Sequence, residues 1–160
     1  DYACERVYRD ARITSIYEGT TQLQVVAAIR HVLTGTYAQL VEGYKAMTVA
    51  PELEAQVKIL DEMFAKYQKA VDHVKEVNEA EYTDFMARRL VEMAGDCVMG
   101  WLLVTDASRS LGSADADVAA AAADLARSAK VYVNLAAADV ERASSFIASV
   151  APADLAAYQA

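Results

Sequence analysis

One stretch concentrates the side chains that could do chemistry: Tyr8 to Gln24 reads Y-R-D-A-R-I-T-S-I-Y-E-G-T-T-Q-L-Q. At its centre Glu18 sits in a break between two helical patterns, with Gly19 beside it and Thr20, Thr21 and Gln22 opening the second pattern. A carboxylate on a loop between helices can be aimed into a slot. Desolvation there beside apolar groups raises its pKa and makes it a better proton acceptor. A glycine lets a ligand approach the backbone. Free N–H groups at a helix start suit phosphate or ribose oxygens. The same residues also have a plainer reading, with Glu18 as a solvated charge near a helix N-terminus and Thr20 or Thr21 as its cap.

Other constellations are weaker. Asp72-His73 with Glu76 and Glu79 has the look of a metal set, but a single His on a charge-rich helical face reads as solvated. We therefore expect no metal. His31 has no partner motif, and Met86, Met93 and Met99 read as core filler. No Ser/His/Asp order, Cys/His pair or phosphate-cradling Gly loop stands out elsewhere.

The segment Ile16-Tyr17-Glu18-Gly19-Thr20 resembles the I-Y-E-G-T segment of acyl-CoA dehydrogenases. That family flanks it with R-D-[AS]-[KR]-I before and x-x-[IL]-Q after. Both flanks are present, as Arg9-Asp10-Ala11-Arg12-Ile13 and Thr21-Gln22-Leu23-Gln24. The resemblance covers roughly the first thirty residues, and its specificity comes from the flanks rather than from Y-E-G alone.

The resemblance implies that Glu18 is the catalytic base. It would remove the α-proton of an acyl-CoA thioester while the β-hydrogen leaves as hydride to the N5 of FAD, giving the 2,3-enoyl-CoA. It places Gly19 at the thioester and Arg30 toward the CoA moiety, with Thr20, Thr21 and Gln22 toward the flavin dinucleotide. Partners implied are an acyl-CoA substrate, an electron-transfer flavoprotein or similar acceptor, and further copies in a homo-oligomer. In that family a helical domain and a flavin-holding β domain precede this motif. The chain accordingly reads as the C-terminal fragment of a larger, cytoplasmic enzyme, inactive alone. Its tail resembles the C-terminal domain of the larger bacterial acyl-CoA dehydrogenases. A competing account makes the chain a helical oligomerisation or partner-binding module without catalysis.

Composition sets the frame for these elements. A chain of 160 residues can bury one real core. Its richness in Ala, Leu, Glu, Lys and Gln, with only 6 Gly and 2 Pro, favours helix throughout. A net charge of −8 argues against nucleic acid and anionic membranes, because phosphate attraction needs clustered Lys and Arg. Cys4 and Cys97 do not make a disulfide framework, which favours a reducing intracellular setting. No apolar run is long enough to insert in a bilayer.

The spacing predicts an all-α protein, an antiparallel up-and-down helical bundle. Residues 2–15 end a helix, and Leu23, Val26, Ala27 and Leu33 mark the apolar face of the next, which is apolar on more than one side. Gly35 reads as a stop or bend, with Thr36 capping a continuation. Met47 to Pro51 divides residues 1–47, the end of the dehydrogenase helical domain, from residues 48–160, an appended bundle.

Leu53, Val57, Leu60, Phe64, Tyr67, Val71 and Val74 then alternate spacings of four and three, a bundle seam. Asn78 to Glu81 turns the chain into a helix over about 83–110 carrying Met86, Leu90, Met93, Cys97, Trp101 and Val104. Ser113 or Asp115 caps a last helix presenting Val118, Ala122, Leu125, Ala129, Tyr132, Ala136, Ala143, Ile147 and Val150. Leu60 and Leu125 are both expected in the core.

Overall fold

A computed structural model describes residues 3–15 and 21–156. The described residues are helical without any strand. Helix α1 (Ala3–Ala11) runs into a 3-10 turn over Arg12–Ser15. Helices α2 (Thr21–Leu33) and α3 (Thr36–Lys45) follow, then a 3-10 turn over Pro51–Leu53. The long helices are α4 (Glu54–Val77), α5 (Ala80–Leu111) and α6 (Ala116–Ser149), and α7 (Pro152–Ala156) is a single short turn.

The breaks sit where backbone chemistry puts them. Gly35 has φ +81°, which glycine adopts without a Cβ penalty, and its N–H bonds the Val32 carbonyl at 3.1 Å. Asn78, with φ 53°, ends α4 in the same left-handed region, and its N–H returns to Val74. The Asp115 carboxylate accepts from the N–H groups of Asp117 and Val118, capping α6. Pro51 opens its turn at a position where the missing N–H costs nothing. The short α4–α5 and α5–α6 turns make these helices antiparallel neighbours. The α2–α3 pair, bent at Gly35, occupies the fourth place.

Helix α5 is the hub, packing against α2, α3, α4 and α6. Its predicted stripe of Met86, Leu90, Met93, Cys97, Trp101 and Val104 is wholly buried. The α4 seam is buried as well, with Val57 half-buried at its edge. Val32 and Val41 join the same core, so α2 and α3 belong to one packed unit with the long helices. Helix α6 closes the core with Ala122, Ala126, Ala129, Ala136 and Ala143 between Val133, Val140 and Ile147. The small side chains let it lie close to α5.

Three expectations are corrected by the packing. Leu125 is 39% exposed, because α6 turns Ala122, Ala126 and Ala129 inward and leaves Leu125 at the margin. On α2 the covered residues are Val25 and Val32, whereas Leu23 and Val26 are 59% and 55% exposed and Ala27 is exposed too. His73 is not fully solvated: it is half-buried, its Nε2 lies 3.3 Å from the Tyr82 hydroxyl, and the rings meet edge to face. That hydroxyl also reaches the carbonyls of Ile147 and Val150, at 3.0 and 2.9 Å, and so ties the end of α6 to α5.

Candidate functional site at the start of helix α2

Glu18, Gly19 and Thr20 lie outside the described residues. What the structure does describe is the platform that follows them. Thr21 and Gln22 form the first turn of α2, both exposed. The leading N–H groups of a helix have no intrahelical partner, and the aligned peptide dipoles add positive potential there. An exposed helix start of this kind fits the phosphate edge of a dinucleotide, and the two polar side chains fit ribose or phosphate oxygens. The platform is held from behind, where Val25, Ile29 and Val32 seat α2 on the core.

Arg30 stands apart from that first turn. It is exposed and nine positions beyond Thr21, about 13–14 Å along the axis and on the opposite side of the helix. It continues instead the open stripe of Leu23 and Val26, at i, i+3 and i+7. Its guanidinium pairs with no carboxylate among the described residues, and its carbonyl is engaged by the Thr34 hydroxyl at 2.9 Å. That stripe is therefore apolar with a cation at its far end. Ile13 on the preceding turn, and Val7 and Tyr8 on α1, are likewise uncovered.

A second concave feature was not foreseen from the sequence. A groove of about 480 Å³ runs between α5 and α6, lined in part by Met99, Asp96, Tyr132, Asp139 and Arg142. The Tyr132 hydroxyl donates to Asp96 Oδ1 at 3.2 Å. Burial raises the Asp96 carboxyl above the usual range, Tyr132 draws it back, and the Asp139 and Glu92 carboxylates raise it again. The Tyr132 phenol is pushed up to about 12, first by burial and then by the Asp96 charge. Beneath the groove, burial and then the Asp96 charge push the Cys97 thiol up to about 12, so it stays protonated and unreactive at neutral pH. Asp96 and Tyr132 lie on different helices, and neither shows a local signal for the other. Among the described residues no group of three His, Cys, Asp or Glu side chains is placed to hold a metal ion. No described helix is long and apolar enough to cross a membrane.

Known proteins match much of the chain. The family model described as "Acyl-CoA dehydrogenase C terminal" matches residues 33–155. A solved structure titled as an acyl-CoA dehydrogenase family protein from Porphyromonas gingivalis is 35% identical, with a TM-score of 0.62. The match covers 79% of this chain and 99% of that one. Acryloyl-CoA reductase (NADH) from Anaerotignum propionicum is 54% identical over 33 residues, which is 21% of this chain and 8% of the reductase. The family model spans most of the packed bundle from the end of α2 onward, so the chain belongs to the acyl-CoA dehydrogenase C-terminal family.

Proposed function

We propose that this chain supplies the catalytic base and the α2 platform of a flavin-dependent acyl-CoA dehydrogenase, with residues 1–47 ending its helical domain and residues 48–160 forming an appended bundle. The Y-E-G-T motif directly before the α2 platform, in a chain of this family, is the observation that carries the reading. Glu18, on the connection between the Arg12–Ser15 turn and α2, takes the α-proton of an acyl-CoA thioester at its carboxylate. Gly19 gives the thioester room, and Arg30 offers a cation to the CoA phosphates. Thr20, Thr21 and Gln22 would hold the FAD dinucleotide at the helix start. FAD, when bound, supplies the acceptor for the β-hydride. Reoxidation calls for an electron-transfer flavoprotein or similar partner. The 160 residues alone form one wall of such a site, so they are inactive without the rest of the enzyme.

A second reading concerns direction. The segment shared with acryloyl-CoA reductase favours the reverse reaction, with the Glu18 carboxylic acid returning a proton to the α-carbon of an enoyl-CoA. The same residues serve both directions, because proton transfer at one atom is microscopically reversible.

Glu18→Gln in the complete enzyme tests the role of the base. The amide keeps the shape but accepts no proton at neutral pH, so turnover falls by roughly two to four decades while flavin content is retained. A variant keeping about a tenth of the activity would place the base elsewhere. Assaying acyl-CoA with a dye acceptor against enoyl-CoA with a reduced donor separates the two directions.

A further inference from the structure

The single tryptophan of the chain sits in the wall of a groove that none of the assignments above uses. The groove, of about 310 Å³, lies where the connection after α3 meets the first turns of α4 beside α5. Met47, Val49, Val57 and Trp101 give it an apolar lining. Trp101 is 1% exposed, and its indole Nε1–H is buried without an acceptor among the described residues. Buried donors are almost always paired, so one left open is a place for an acceptor from outside the chain. Three charges accompany this lining. The Lys45 ammonium is already held, 3.0 Å from Asp61 and 5.4 Å from the centre of the Phe64 ring. Glu54 stands in the first turn of α4, where the peptide dipoles favour a carboxylate. Lys58 is exposed and pairs with no carboxylate among the described residues. The charge left unanswered is thus positive, in a chain whose net charge is −8.

We propose that this groove binds a small monocarboxylate with an apolar tail. Its carboxylate pairs with Lys58, one oxygen accepts the Trp101 N–H, and the tail lies along Met47, Val49 and Val57. Met47 is the exposed apolar member of the lining, its sulfur held by an Arg109 N–H at 3.7 Å. An unbranched thioether chain of this kind moves aside at low cost, and its withdrawal uncovers the indole edge. The flexible four-carbon stem of Lys58 lets its ammonium follow the carboxylate inward. A neutral apolar molecule would leave both Lys58 and the indole N–H unanswered, and a cation would meet a like charge. The groove is at the small end of ligand sites, so a dissociation constant of roughly 0.1–1 mM is expected.

Octanoate is the probe, and because Trp101 is the one tryptophan, its emission reports the groove directly. A saturable emission change is expected over roughly 0.05–10 mM, together with a shift of the indole N–H proton resonance. Lys58→Glu should weaken binding about tenfold or more, with helicity unchanged because the position is exposed. Lys69→Glu makes the same change of charge about 16 Å further along α4 and should leave binding within about twofold. Octanol, with the same tail and no charge, should bind about tenfold more weakly. No saturable change with octanoate overturns the proposal. So does octanol binding as tightly as octanoate, the mark of a merely apolar surface, or an equal loss from the two lysine variants, the mark of bulk charge. An indole N–H resonance that stays in place while octanoate saturates overturns the Trp101 contact.

Discussion

Two glycines of α5 receive opposite forecasts for the same substitution. A Cβ built on Gly100 stands 2.5 Å from Cδ2 of Leu60 and 3.7 Å from Cγ2 of Val133. Leu60 is fully buried, so its methyl has no solvent to retreat into and must push on the core. Overpacking of this kind costs about 1–3 kcal/mol. Replacing Gly by Ala in a helix interior returns about 0.8–1 kcal/mol. Gly100→Ala is therefore expected to destabilise by about 0–2 kcal/mol net. Gly95→Ala, five positions earlier, meets nothing within 4 Å at an exposed position and should stabilise by about 0.5–1 kcal/mol. The helix-propensity gain is common to both, so the difference between the variants isolates the steric cost of about 1–3 kcal/mol. Urea unfolding followed by helical circular dichroism gives both values. By heat the pair should separate by roughly 2–12 °C for a chain of this size. Leu60→Val in the Gly100→Ala background should cost less than in the parent, because the new methyl fills part of the space vacated. Equal shifts for the two glycine variants would refute the close α4–α5 approach.

Truncating leucines should separate the core from its margin. Leu60→Ala is expected to cost about 2–5 kcal/mol, and Leu125→Ala, at the edge of α6, less than about 1 kcal/mol by the same urea assay. A thiol reagent should titrate Cys4 in the native chain and reach Cys97 only on unfolding, since Cys4 is exposed and Cys97 buried and protonated. Fast reaction of both would mean that the α5 core opens. Asp96 has its folded pKa raised, so its protonated form is favoured by folding. Its stabilising contribution is complete below the unfolded carboxyl value and is lost as pH rises through the raised one. Asp96→Asn should accordingly gain on the parent at neutral pH and lose that advantage in acid, a pattern that parallel melting curves at the two pH values would reveal.

Much of the architecture was legible because its causes are local. The four-and-three spacing of Leu53 to Val74, and the run from Met86 to Val104, each point one way around a helix and are buried as read, apart from the half-buried Val57. Asn78, Gly35, Pro51 and Asp115 act through their own backbone geometry or capping chemistry, so the breaks appeared where those residues stand. The Y-E-G-T motif, too, is legible residue by residue. Helices α2 and α6 were harder. Each is apolar on more than one side, with Val131 and Leu135 on the outer face of α6, so a helical wheel does not say which apolar side chains a neighbour will cover.

The sequence by itself determined the helical class, the turns between helices, the α4 and α5 seams and the motif that points to the dehydrogenase family. The tertiary structure alone decided that alanines of α6 rather than Leu125 enter the core, that Val25 and Val32 rather than Leu23 and Val26 seat α2, that Tyr82 engages His73 and the end of α6, and that Tyr132 meets Asp96. Periodicity and turn chemistry depend on residues a few positions apart. Burial, partner choice and pKa shifts depend on atoms brought together from distant helices, at distances no local spacing encodes.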